Sequence, residues 1–347
     1  MGCVGSSDEA ARDHADDRPL TTPDQPATAP DERPPLVCIT GLTASGKSAL
    51  ALELAERLPA GILSVDSMQV YRGFDLGTAK PTAEEQARVP HFGIDLCAPD
   101  ERFSAGAFLD YARAVLAAEQ EAGRIVLAVG GTGLYLRALL HGLGPGAPAD
   151  LELRARLRAE EVAEPGSMHR RLAELDPPAA ARLHPHDLLR LERALEVLWT
   201  TGRSLTDWHD AHRFAPAPFR TLLLAIRLPA EQRRRRIEDR IDAMLRAGWL
   251  AEVERLVAAG ATDAMTPMRA LGYRELAAVL RGELSPAEAR QRIAYAVHRF
   301  AKQQAAWFNR EPGIHWVEPS AGLAERLLPA IRGFLAGQPA PLALESP

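Results

Sequence analysis

The 347-residue chain is short of cysteine, of aromatic side chains and of long apolar runs. Its three cysteines, Cys3, Cys38 and Cys97, are spaced too widely for a disulfide framework or a zinc cluster. No apolar run approaches the ~18 residues that cross a bilayer, and no charged-then-apolar leader opens the sequence. A membrane span and Sec-type secretion are therefore not expected, and a reducing cytoplasm is the expected address. Net charge is scarce outside one end. Residues 1–34 hold 8 acidic and 3 basic side chains, and the rest of the chain is neutral, with 38 of each sign. The low overall charge argues weakly against a nucleic-acid partner, but within that neutral remainder 227–310 carries 16 Lys/Arg against 10 Asp/Glu, a local surplus that reopens the question.

What is present is ordinary globular composition, 46% hydrophobic and 25% charged, sufficient for one large or two modest cores. Residues 1–34 have almost nothing apolar to bury and read as a disordered acidic tail. Their start, MGCVGS, fits the pattern for N-myristoylation with Cys3 placed for a second acyl chain, but the pattern is short and a plain solvated extension or an overlong start is the preferred reading. Strand-like runs appear at LVCIT, ILSVD (62–66), RIVLAVGG (124–131), TLLLAIRL (221–228) and IHWV (314–317), each separated from the next by helical patterns. That alternation predicts an α/β fold, a parallel sheet wrapped by helices. Between 146 and 215 no strand signal appears, so a helical insertion is expected there. The core then comprises 35–145 and 216–318, followed by a terminal helix and loose tail over 319–347. Residues 231–260 and 286–310 read as long helices.

The most specific motif is Gly41-Leu42-Thr43-Ala44-Ser45-Gly46-Lys47-Ser48, which fits G-x-x-x-x-G-K-[ST] between a buried strand and a helix. Such a loop points successive backbone N–H groups at one anion, and the helix N-terminus adds its positive dipole end. Lys47 would reach the outer phosphate and Ser48 would hold Mg2+. The chain is thus expected to bind a polyphosphate. A small-molecule kinase or P-loop NTPase is the first reading, with Asp66 at the end of ILSVD as a magnesium contact. The polar-aromatic run Ser67-Met68-Gln69-Val70-Tyr71 that follows is unusual for that role.

Several further segments, taken in order, resemble the tRNA dimethylallyltransferase (isopentenyltransferase) family. They are G-x-T-A-S-G-K-S at 41–48, V-D-S-M-Q-V-Y-R-G at 65–73, D-x-G-T-A-K-P at 75–81, P-H-x-x-I-D at 90–95 and V-G-G-T-G-L-Y at 129–135. H-P-x-D-x-x-R-L-x-R-A-L-E-V at 184–197, R-A-L-G-Y-R-E at 269–275 and R-F-A-K-Q-Q-A-A-W-F at 299–308 complete the series. The resemblance implies a P-loop NTPase-like fold whose cradle holds dimethylallyl diphosphate, and transfer of the prenyl group to N6 of adenosine 37 beside the tRNA anticodon. A related reading is an enzyme that prenylates free adenylate and needs no tRNA.

Read on its own terms, the site suits allyl transfer. Charge builds on the departing diphosphate, and the cradle, Lys47 and the metal at Ser48 would meet it. Asp66, at the C-terminal end of a strand, can orient an aryl amine and take its proton; a magnesium ligand or an N-cap is the alternative. Thr132 follows the Gly130-Gly131 turn, as a polar partner in the same crevice or as a helix N-cap. Within the arginine run 233–236 the resemblance picks out Arg236, with Arg240, as reaching the diphosphate from the other side. It also places tRNA contacts on Asp66, Ser67, Met68, Gln69, Thr132, Arg154, Arg190, Arg193, Arg269, Gly272, Tyr273, Arg274, Arg299 and Lys302. In 286–310, Arg292, Tyr295, Arg299, Lys302 and Gln303 fall on one helix face, opposite Ile293, Val297, Phe300 and Trp307. Leu42, Phe92-Gly93 and Gln303 depart from the family's usual residues, and the absence of a zinc-finger extension points to the bacterial type. The expected partners are the anticodon stem-loop of tRNA and dimethylallyl diphosphate, with the protein acting as a monomer.

Overall fold

The computed structural model describes residues 31–143, 149–212 and 217–339. The myristoylation pattern, nearly all of the acidic tail and the end of the chain from 340 lie outside them. Six strands, β1 (Pro35–Gly41), β2 (Ala60–Val65), β3 (His91–Phe92), β4 (Ile125–Gly130), β5 (Arg220–Ile226) and β6 (Ile314–Val317), form one sheet in the order β3-β2-β4-β1-β5-β6. Every pairing is parallel, as expected for strands separated by helices. All five anticipated strands are present. β3 is the addition: two residues extend the sheet beside β2, too short a run to show any periodicity.

Alternation along the strands decides what covers each face. Val37, Ile39, Leu127, Val129, Leu222 and Leu224 face α1 (Lys47–Arg57) and the last helix, whose Leu327 and Ile331 are buried against them. Leu36, Cys38, Leu63, Val65 and Val126 face the other way. They pack on Phe108 of α3 (Ala105–Glu121) and on Tyr135 and Leu139 of α4 (Gly133–His141). α3 starts where Ser104 Oγ accepts from Ala107 N, a side-chain cap in place of a missing backbone partner.

Among the described residues, five helices lie between α4 and β5: α5 (Leu151–Ala163), α6 (Ser167–Leu175), α7 (Pro177–Arg182), α8 (Leu188–Thr201) and α9 (Leu205–His212). They enclose their own core around Leu157, Leu172, Leu191 and Leu195. Asp-Pro-Pro at 176–178, which reads as a break, is the start of α7. Asp176 caps the helix, and proline at the first position loses no hydrogen bond.

After β5 come α10 (Ala230–Arg246), α11 (Trp249–Ala258), a 3₁₀ turn (Pro267–Arg269), α12 (Tyr273–Leu280), α13 (Pro286–Phe308) and, beyond β6, α14 (Leu323–Leu335). The single helix expected over 231–260 is therefore two. Gly248 has φ +101°, a left-handed conformation that ends α10 after the Ala247 N–H bonds back to Ala243 O. α13 runs unbroken for 23 residues from a capping box of Ser285 and Glu288 with Pro286 at its first position. α10 to α13 pack around Trp249, Tyr273 and Ile293, and the loop after β2 contributes Val70, Tyr71 and Phe74 to the same core. No helix among the described residues is long and apolar enough to cross a membrane.

Candidate functional site

The C-terminal ends of β1, β2 and β4 meet at one edge of the sheet, where the strand order places β1 and β4 side by side. Thr40 Oγ1 donates to Gly130 O at 2.8 Å and Thr132 N to Val65 O at 3.2 Å, so the three strand ends are tied together. Above them opens a cavity of about 810 Å³.

The Gly41–Ser48 loop forms one wall. Ser45 N bonds Leu42 O at 3.1 Å, and Gly46, with φ +95°, turns the chain into α1 so that Lys47 is its first residue. Thr43 to Ser48 line the cavity. Gly41 and Leu42 do not. Gly41 ends the strand, and the Leu42 side chain is buried in the core between the sheet and α3, so their part is to shape the loop. Ser48 lies exposed at the head of α1. Among the described residues no three His, Cys, Asp or Glu cluster into a metal cage. One hydroxyl beside an anion cradle suits magnesium, which keeps several waters and takes its remaining oxygens from phosphates.

Burial, and then the neighbouring Arg240 guanidinium, push the Lys47 ammonium down to about 8; Asp66 acts in the opposite direction. Lys47 is thus still mostly charged at neutral pH, though within reach of titration. Burial likewise lowers Arg240, again against Asp66. From the same face of α10, Arg236 Nη1 donates to Ser45 O at 3.4 Å. Both arginines line the cavity, which brings them to the phosphate loop. Arg235 instead pairs with Glu231 at 2.6 Å on the exposed side, as expected of a solvated arginine run.

Asp66 follows β2 directly. Its Oδ1 accepts from Met68 N at 2.8 Å, and its Oδ2 has no hydrogen-bond partner among the described residues. Thr132 sits at the N-cap position of α4, yet its hydroxyl caps nothing and accepts from Ser67 N at 3.1 Å. The N-cap alternative therefore fails for its side chain: it braces the Asp66–Ser67 turn. Gln69 spends its amide inside the wall. Its Oε1 accepts from Ser64 Oγ, and its Nε2 donates to Thr78 O and Ala79 O at 3.1 and 2.9 Å. Both N–H groups of Gln69 are thus engaged within the protein, while the residue still lines the cavity. Lys80 fastens the same segment. Its side chain is only 3% exposed, and its ammonium donates to Tyr71 O, Asp75 Oδ1 and Asp95 Oδ1.

Apolar side chains also line the cavity, namely Ile237, Ile241, Met244, Trp249, Ile293 and Val297, and Ala44 of the phosphate loop packs on the same cluster. Phe300, placed by helical periodicity on the buried face of α13, is 38% exposed and lines the cavity instead. The neighbouring face of α13 presents Arg292, Tyr295, Arg299 and Lys302 to solvent.

The remaining candidates divide by burial. Arg269 is exposed and lines both this cavity and an adjacent cleft of about 480 Å³ that also touches Arg154 and Arg158 of α5. Arg274 is exposed and donates to Asp263 O. Arg154 and Arg193 both pair with the buried Glu196, and Arg190 pairs with Asp187. Tyr273 is a correction. It is 0% exposed, and its hydroxyl donates to buried Glu252 at 2.6 Å, so its ring cannot meet RNA. Gly272 is buried beside it against Trp249. The sequence also left Gln304 without a role. Its side-chain oxygen accepts from Thr43 N at 2.9 Å and its nitrogen donates to Gly131 O at 3.1 Å. Glu252, which holds Leu76 N as well as Tyr273, was equally unmarked. Neither pairing has a local signal, because the partners are distant in sequence.

A profile of the family described as IPP transferase matches residues 69–311. The tRNA dimethylallyltransferase of Syntrophobacter fumaroxidans is 46% identical over 297 residues, covering 85% of this chain and 87% of that protein. That of Geobacter metallireducens is 46% identical over 305 residues, covering 88% and 98%. Among solved structures, the full-length tRNA isopentenylpyrophosphate transferase of Bacillus halodurans superposes with a TM-score of 0.65 at 34% identity, over 87% of this chain and 96% of that one. A eukaryotic dimethylallyltransferase acting on tRNA superposes with a TM-score of 0.78 at 23% identity, over 88% and 81%, a likeness of fold.

Proposed function

The chain belongs to the IPP transferase family, and on that footing we infer that it is an enzyme that moves a dimethylallyl group from dimethylallyl diphosphate to tRNA. The observation that carries this is the joining, in one cavity, of an anion cradle, a carboxylate with a free oxygen and an apolar helical wall. The cradle and the cations Lys47, Arg236 and Arg240 take the diphosphate; Ile237, Ile241 and Val297 offer the isoprene a dry surface. The acceptor is N6 of adenosine 37, beside the anticodon, in the anticodon stem-loop. A base in such a loop must leave its stack to reach the carboxylate.

In this reading the allylic C–O bond breaks as the N6–carbon bond forms, and the electron pair leaves with diphosphate. Preorganised donors matter most where that charge develops, which is at the loop N–H groups, Lys47 and the two arginines. Asp66 Oδ2 accepts one N6 proton and, before that, orients the amine, while Thr132 holds the Asp66 turn. Ser48 would hold Mg2+, whose charge would add to that of the cradle against the leaving diphosphate. RNA phosphates meet Arg299 and Lys302 on α13, with Arg269 at the cavity mouth. The reaction belongs in the cytoplasm with its RNA, and the acting species is a monomer.

Labelled dimethylallyl diphosphate with magnesium, offered tRNA, AMP or ATP, tests the assignment. Label in tRNA alone is expected. Label in the free nucleotide would make this an adenylate prenyltransferase, and ATP hydrolysis without prenyl transfer would make it a phosphotransferase.

A further inference from the structure

Gln304 stands at a junction that the reaction scheme does not use. It is buried on α13, whose exposed face carries Arg299 and Lys302, and its amide reaches two other elements at once. Its oxygen takes the Thr43 N–H of the phosphate loop, at 2.9 Å and 261 residues away in sequence. Its nitrogen donates to Gly131 O, at 3.1 Å and 173 residues away. Gly131 immediately precedes Thr132, which braces the Asp66 turn. One side chain therefore spans the donor cradle, the catalytic turn and the helix that faces RNA. The fit is close: a Cβ at Gly131 would come within 2.5 Å of the Gln304 nitrogen.

We propose that Gln304 is a positioning residue that couples the two substrate sites, so that RNA held on α13 and diphosphate held in the loop each raise the other's affinity. The proposal rests on the assignment of RNA to α13 and of diphosphate to the loop. The physical reason is that both Gln304 bonds have fixed directions. A displacement of α13 must either move Thr43 and Gly131 with it or leave the amide of the buried Gln304 unpaired, which is costly. Occupying either site stiffens the same junction, and linkage requires the effect to be reciprocal.

The test measures magnesium diphosphate affinity by calorimetry in the presence and absence of an anticodon stem-loop RNA, in the intact protein, Gln304→Leu and Gly131→Ala. The ratio of the two affinities is the readout, since a uniform loss of binding or of stability cancels in it. The intact protein is expected to show a ratio of about fivefold or more, and both variants a ratio within about twofold of unity. A ratio preserved in Gln304→Leu, with both affinities lowered in parallel, would reduce the residue to packing and overturn the proposal. So would an intact protein that binds both ligands independently. An intact protein that binds neither ligand would instead sink the functional assignment, and the coupling with it.

Discussion

Replacing Asp66 by asparagine and by alanine separates two jobs that the carboxylate performs with different oxygens. Oδ1 holds the Met68 N–H at 2.8 Å, and Oδ2 is the oxygen proposed to meet the substrate amine. Asparagine keeps an oxygen for Met68 and puts an NH2 group where the proton acceptor was. Alanine removes both. General-base catalysis contributes roughly 10² to 10⁴ in rate, about 2.7 to 5.5 kcal/mol of barrier. Single-turnover transfer of labelled prenyl to tRNA should therefore slow by at least about a hundredfold in Asp66→Asn, with tRNA affinity nearly unchanged. Asp66→Ala should lose that and also about 1 kcal/mol of stability through the freed Met68 N–H. A third reading comes from charge. Asp66 works against the forces that pull Lys47 down to about 8, so its removal should let Lys47 titrate lower still. Diphosphate binding by Asp66→Asn should then weaken from a lower pH than in the intact protein. Turnover by Asp66→Asn within about threefold of normal would remove the carboxylate from the chemistry.

The Lys47 shift has a consequence of its own. Bound diphosphate favours the ammonium, so its bound pKa lies above the free value of about 8. The Lys47 contribution to affinity should level off well below pH 8 and fall by up to about tenfold per pH unit above it until the bound form also titrates, with proton uptake visible calorimetrically in buffers of different ionisation enthalpy. Tyr273→Phe should cost about 1 to 3 kcal/mol in denaturant unfolding, because buried Glu252 loses its hydroxyl donor, while tRNA affinity stays the same; weakened RNA binding without destabilisation would return Tyr273 to the interface. Arg299→Gln with Lys302→Gln should reduce the salt dependence of log Kd for tRNA by about 1.4 to 1.8, the equivalent of two phosphate contacts. An unaltered slope would leave α13 as an ordinary amphipathic helix.

What could be read in advance was what is local. The phosphate loop is eight consecutive residues, and it lies between a strand and a helix as its motif implies. The longer strands announce themselves through β-branched runs. β3 could not, because two residues carry no period, and its place in the sheet is decided by β2 beside it. The break at Gly248 needed a left-handed backbone that a lone glycine in a helical pattern does not reveal. The motif at 269–275 shows the opposite difficulty. Arg269 and Arg274 reach solvent, whereas Gly272 and Tyr273 in the same stretch are packed against Trp249. A shared motif reports residues that a family keeps for either reason and does not separate contact from packing. Gln304 and Glu252 were beyond reach because their partners come together only when the chain folds.

The most direct measurement is diffraction from crystals soaked in turn with dimethylallyl diphosphate and with ATP. The expected density is a diphosphate across Thr43–Ser48 beneath Lys47 and Arg240, with its isoprene against Ile241 and Val297. A cleft empty of the isoprenoid but filled by ATP, with its adenine ordered, would contradict prenyl transfer and leave a phosphotransferase in its place.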